Sequence, residues 1–201
     1  NFIWSDAMIK DLKAKYKLFG TSVNRYESVF PWPHLGSNIS DSDFLIQKQN
    51  INEFSFLYVN ETTNTIHIKQ GAWELGKSLI IPAGYSMICG EGVTLNLSNG
   101  AAIISYSPFE FYGSDEKPII ISSSDSTGQG LIIMNTNEIS VFEHVNFLNL
   151  SNIKQNDWEL TGAVTFYESP VKMSNCRFLG NRSEDALNIV RSDFEISNSI
   201  F

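Results

Sequence analysis

The feature that most constrains this chain is a repeat of 23 residues near its C-terminal end. Residues 163–178 align without gaps on residues 186–201, with five of sixteen positions identical. The apolar positions coincide, pairing Val164 with Leu187, Phe166 with Ile189, Val171 with Phe194 and Met173 with Ile196. An earlier copy ends at Phe147, which lies 31 residues before Phe178: one repeat plus an insertion of about eight residues at 152–159. Upstream a period of 24 relates Leu79 to Ile103, Tyr85 to Phe109, Met87 to Phe111, Leu95 to Ile119 and Leu97 to Ile121.

Within each repeat the apolar residues alternate, as in Phe109-Glu110-Phe111, Leu95-Asn96-Leu97 and Phe194-Glu195-Ile196. Period two over three residues predicts short strands with two side chains inward and one outward. Several such strands per repeat, each followed by a sharp turn, describe one coil of a solenoid. A single coil holds too few apolar residues to fold alone. Coils stacked about 4.8 Å apart bury a continuous core and pair their backbones. Outward charges at stacked positions are then of opposite sign: Glu168 with Arg191, and Lys172 with Glu195. Asn175 aligns with Asn198 just after a strand, where Asn tolerates left-handed backbone. His144 shares that position and continues the turn ladder. Cys176 aligns with Ser199 and reads as a small core residue.

The run Leu79-Ile-Ile-Pro-Ala-Gly-Tyr85, then Gly92-Val-Thr-Leu95, then Gly113-Ser-Asp-Glu-Lys-Pro-Ile-Ile-Ile121, resembles the opening coils of bacterial right-handed parallel β-helix repeat proteins of the pectin-lyase-like superfamily. Asn181-Arg-Ser-Glu-Asp-Ala-Leu-Asn-Ile189 and Ile196-Ser-Asn-Ser-Ile-Phe201 resemble their repeating coils. The resemblance implies an all-β fold, a right-handed parallel β-helix of about 23–24 residues per coil over residues 64–201. It also implies an extracellular or cell-surface place in a bacterium. It leaves activity open, because the superfamily holds lyases, hydrolases, epimerases and non-catalytic surface proteins.

Residues 1–63 read differently, as an N-terminal cap or linker. Ile9, Leu12, Tyr16 and Phe19 recur at helical spacing, with Lys10, Lys13, Lys15 and Lys17 mostly on the other face. That pattern predicts an amphipathic helix over 5–19, stopped at Gly20; the resemblance implies that it covers the open end of the solenoid. A basic amphipathic helix also fits a membrane surface. Residues 20–52 have little periodicity and read as a loop.

The chain carries 14 Lys+Arg against 22 Asp+Glu and is 42% hydrophobic. That composition excludes a disordered chain, and no apolar run reaches transmembrane length. The net charge of -8 argues against a nucleic-acid binder. Two cysteines, Cys89 and Cys176, do not make a disulfide framework.

Two constellations are candidates for chemistry. The insertion brings Lys154, Gln155, Asp157 and Trp158 into an otherwise regular coil, and insertions in solenoids often build the binding surface. An exposed Trp158 suits a sugar ring; a Trp158 folded back would instead cover the core. At the turn into the last coil, Arg182, Glu184, Asp185 and Asn188 lie close together. Glu184, Asp185 and Asn188 are the candidate ligands for Ca²⁺, against a plain solvated turn. The expected function is that of a non-catalytic, carbohydrate-binding or structural portion of a larger extracytoplasmic protein. The alternative is the N-terminal part of a polysaccharide lyase, hydrolase or epimerase with its active site in later coils. The expected partners are a polysaccharide, further coils of a longer chain, and a second copy held through the open edge.

Overall fold

The computed structural model describes residues 13–29, 48–155 and 158–201; the side chains of Gln155 and Trp158 lie outside the described set. The chain divides into two compact units, Asn1–Ile46 and Gln47–Phe201. In the first, β1 (Lys13–Lys17) pairs antiparallel with β2 (Asn24–Ser28), Lys15 standing opposite Tyr26. This corrects the helix expected over 5–19, at least from Lys13 onward; residues 5–12 lie outside the described ones. Lys13-Ala14-Lys15-Tyr16-Lys17 satisfies a period of two as well as a helical one. The stretch after Gly20, read as loop, supplies the partner strand that settles the choice. Gly20 turns the chain with a φ of 82°.

Among the described residues the second unit is all-β apart from a 3-10 turn at Ile51–Glu53. It opens with β3 (Leu57–Asn60), which runs antiparallel to β4 (Thr65–Ile68). From β4 the chain visits three sheets in rotation. The first circuit is β4, β5 (Ala72–Leu75) and β6 (Leu79–Ile81); the second is β7 (Ser86–Cys89), β8 (Thr94–Leu97) and β9 (Ile103–Ser105). The third is β10 (Phe109–Tyr112), β11 (Ile119–Ser122) and β12 (Leu131–Met134). The fourth has β13 (Ser140–Glu143) and β14 (Val145–Leu148), then a small hairpin of β15 (Lys154–Gln155) and β16 (Trp158–Glu159), then β17 (Gly162–Tyr167). The fifth is β18 (Val171–Ser174), β19 (Arg177–Leu179) and β20 (Asp185–Val190), after which β21 (Phe194–Ser197) returns to the first sheet.

Sheet 1 therefore runs β3-β4-β7-β10-β13-β18-β21, sheet 2 β5-β8-β11-β14-β19, and sheet 3 β6-β9-β12-β17-β20. Every pairing between successive circuits is parallel. Among the described residues no helix is long and apolar enough to cross a membrane.

The register bears out the 23-residue alignment. Val164 faces Leu187, Phe166 faces Ile189, Val171 faces Phe194 and Met173 faces Ile196. Phe147 pairs with Phe178, and the rings of Phe147, Phe178 and Phe201 stack at successive centroid distances of 4.8 Å. The outward charges also meet as expected, with Lys172–Glu195 and Arg191–Glu168 each at 2.9 Å. The 24-residue period holds for Leu79 and Ile103 but slips by two elsewhere. Met87 pairs with Phe109, not Phe111, and Leu95 with Ile121, not Ile119. A slip of two keeps every side chain on its own face, so apolar alternation is blind to it. Circuit length on sheet 3 is 24, 28, 33 and 23 residues in turn, because the corners, not the strands, vary.

The corners repeat one device. His144, Asn175 and Asn198 stack at the corner from sheet 1 to sheet 2 with φ of 50°, 55° and 48°. Asn135, Glu168 and Arg191 do the same from sheet 3 to sheet 1, at 54°, 47° and 51°. A small polar residue follows each of four of these positions. The Thr136 N–H donates to Ser169 Oγ at 3.1 Å, and the Ser169 N–H to Ser192 Oγ at 2.7 Å. The Cys176 N–H donates to Ser199 Oγ at 3.1 Å. Each accepting hydroxyl turns its own proton to the carbonyl two residues back, of Tyr167, Val190 or Ser197. A left-handed residue bends the strand sharply, and the hydroxyl satisfies the backbone groups the bend leaves unpaired.

The interior is filled by Phe109, Phe111, Phe142, Phe147 and Phe166 with aliphatic residues from all three sheets. Ile51, Phe54 and Phe56 close it at the β4–β6 end. Asn50 fastens that closure: its Nδ2 donates to the Ser78 carbonyl and its Oδ1 accepts from the Ile80 N–H, both at 2.8 Å. Over β6, β9 and β12 sheet 3 is apolar on both faces, since the stacked Ile80, Ile104 and Ile132 are buried although they alternate with core residues.

Candidate functional site

The two constellations found in the sequence meet at the corner from sheet 2 to sheet 3. The insertion is the β15–β16 hairpin, in which Gln155 pairs with Trp158 and Lys154 with Glu159. Its base is fixed: the Ser151 N–H donates to the Gly128 carbonyl at 2.8 Å, the Lys154 N–H to Gln129 Oε1 at 3.2 Å, and Ile153 is fully buried. Lys154 forms an ion pair with Glu159 at 3.0 Å, and Asn152 Nδ2 donates to the Leu160 carbonyl at 2.6 Å. Hydrogen bonds from Lys154 and Asn152 hold the Glu159 carboxyl below its ordinary range. Lys154, expected to meet sugar, keeps an exposed side chain while it pairs with Glu159. Asp157 lies outside the described residues, as do the side chains of Gln155 and Trp158.

The turn at 181–185 sits one circuit further on. The Arg182 N–H donates to the Leu150 carbonyl at 2.7 Å, and the Asp185 N–H to the Thr161 carbonyl at 3.0 Å. Asn188 Nδ2 donates to Thr161 Oγ1 at 2.6 Å. Glu184 and Asp185 are exposed. Among the described residues no three His, Cys, Asp or Glu side chains converge in a metal-binding group.

Cys176 and Cys89 are core residues. Burial pushes the Cys176 thiol up to about 11 and the Cys89 thiol up to about 12, far from nucleophilic thiolates. His67 is held by its ring stacking on Tyr58 at 4.7 Å and by Thr65 Oγ1 at 2.8 Å from Nε2.

A groove runs along the corner from sheet 1 to sheet 2, with a volume of about 150 Å³. One wall is the left-handed column His144, Asn175 and Asn198; beside it on sheet 2 stand Asn146, Arg177 and Ile200. Asn146 pairs with Arg177, and Arg177 bridges to Ile200, so the second column shares the strand spacing of the first. Ser114, Asp115 and Pro118, from the β10–β11 connection, complete the lining. Backbone bonds fix the first column: the His144 N–H donates to the Ser174 carbonyl at 3.0 Å and the Asn175 N–H to the Ser197 carbonyl at 3.2 Å. Among the described residues Arg177 forms no ion pair.

Three carboxamides offer paired donors and acceptors, Arg177 adds donors, and Pro118 and Ile200 add apolar surface. That set hydrogen-bonds vicinal hydroxyls and packs against C–H faces. Sequence reading found the Asn175–Asn198 column but assigned it to the turn alone. Asn146 and Arg177 were legible only through the 31-residue step that the hairpin insertion imposes. Comparison with protein-family models, with curated proteins and with solved structures finds no match for this chain.

Proposed function

We propose that the Gln47–Phe201 unit is a right-handed parallel β-helix of the pectin-lyase-like kind that serves as a non-catalytic carbohydrate-binding scaffold outside the cytoplasm. The rotation of the chain through three parallel sheets supports the fold, and right-handed crossover is the rule for parallel connections. The resemblance of residues 79–121 and 181–201 supports the family and the location. The groove of Asn146, Asn175, Asn198, His144 and Arg177 carries the binding reading. Its side chains are mostly uncharged, and the chain around them is net acidic, so neutral glycans are the favoured class.

A glycan array followed by calorimetry on the best ligand tests this. Asn146→Ala and Arg177→Ala are expected each to weaken binding about tenfold, the value of one or two hydrogen bonds to a sugar. Neither change should move Tm, because both side chains reach solvent. A blank array, or binding indifferent to both substitutions, overturns the groove. Binding lost instead in Trp158→Ala moves the site to the hairpin.

A further inference from the structure

The β1–β2 hairpin presents a surface that the glycan reading does not use. Lys13, Lys15 and Lys17 alternate along β1 and so share one face, together with their cross-strand partners Ser28, Tyr26 and Asn24. Lys15 Nζ lies 5.8 Å from the centre of the Tyr26 ring. Arg25 stands on the other face opposite Tyr16. Between residues 13 and 28 these four cations face a single carboxylate, Glu27, in a chain whose overall charge is -8. None of the four forms an ion pair among the described residues. The tip is apolar and bare: Leu18 is 45% exposed and Phe19 fully so, at 107%, and Val23 follows at 63%.

A lone basic strand face needs only an anion. A solvent-exposed Leu-Phe tip at the end of the basic strand asks for an apolar medium as well. One partner supplies both within a few ångströms: the interface of an anionic bilayer, where lysines reach headgroups and the apolar tip enters the acyl boundary. Tyr26, amphipathic, exposed and on the lysine face, suits the headgroup level. We propose that this hairpin docks the protein on anionic lipid bilayers, Leu18 and Phe19 inserting and the Lys13–Lys15–Lys17 face lying against the headgroups.

The test is co-sedimentation of the full 201-residue chain with phosphatidylcholine vesicles with and without phosphatidylglycerol. Binding is expected only to the anionic vesicles and is expected to weaken with salt. Each Lys→Gln change on β1 should weaken it about fivefold. Phe19→Ser should weaken it about tenfold while leaving Tm unchanged, since that ring is fully exposed. Phe19→Trp should bind and show a blue-shifted emission on anionic vesicles. The proposal is overturned if the chain ignores anionic vesicles, or if Phe19→Ser binds them as well as the parent. Tighter binding to a single-stranded oligonucleotide than to vesicles, unaffected by Phe19→Ser, also overturns it, in favour of a polyanion partner.

Discussion

Asp125 shows how a single exposed side chain ties two circuits together. Its carboxylate accepts from the Asn99 N–H at 3.0 Å, the Thr127 N–H at 2.9 Å and the Ser123 hydroxyl at 3.0 Å. The Asn99 and Thr127 backbone bonds lead the causes that hold its pKa well below the ordinary carboxylate range. A depressed folded pKa stabilises the fold fully above the unfolded value, near about 3.9, and that contribution is lost as pH falls toward the folded one. Asp125→Ala is therefore expected to lower Tm at pH 7, and the gap from the parent should narrow steadily below about pH 4. Thermal melts across that range check it; a gap of constant size would show that the carboxylate charge contributes nothing. Asp125 was not singled out in the sequence because its partners lie 26 residues back as well as beside it.

At the scale of the element, the repeated unit is the corner as much as the strand. Ser169 is fully buried and does three things: it accepts from Thr136, donates to Tyr167 and is itself bonded through its N–H to Ser192. Ser169→Ala should cost about 1–3 kcal/mol, because it leaves the Thr136 N–H buried without a partner. Ser169→Cys should cost less, since Cys176 holds the equivalent place after Asn175 with its thiol 3.4 Å from the Ser174 carbonyl. Denaturant melts of the two variants decide; an alanine variant within about 0.5 kcal/mol of the parent would mean the corner is satisfied by water. The alternation in residues 163–201 exposed the strands plainly, and the corner partly, through Asn175 and Asn198. Glu168 and Arg191 gave a correct charge pair but no hint of their left-handed backbone, for which their side chains have no preference.

Within these 201 residues, the two ends of the Gln47–Phe201 unit differ in kind. Ile51, Phe54, Phe56 and the antiparallel β3 close one end. At the other, β20 and β21 are terminal in their sheets, and Phe194, Ile200 and Phe201 are exposed beside them. Unpaired strand edges template another chain. Concentration-dependent association is expected in light scattering, and Phe194→Lys should reduce it. A chain that stays monomeric at every concentration would show that edge pairing is too weak to hold a second copy.

The sequence by itself determined the short strands of the repeats, their inward faces and the stacking of the last two circuits. Alternation and a constant 23-residue step are local, additive signals that survive without knowledge of the partner. Only the tertiary structure decided the register of the earlier circuits, because a slip of two residues leaves burial unchanged. It alone turned residues 13–17 into a strand, because a pattern that fits both periods is resolved by whichever partner the chain supplies. It alone completed the groove, because no repeat step relates Ser114, Asp115 and Pro118 to the columns of His144 and Asn146 that they line up against. Strands are specified by their own residues; contacts across corners are specified by the lengths between them, and no single residue records a length.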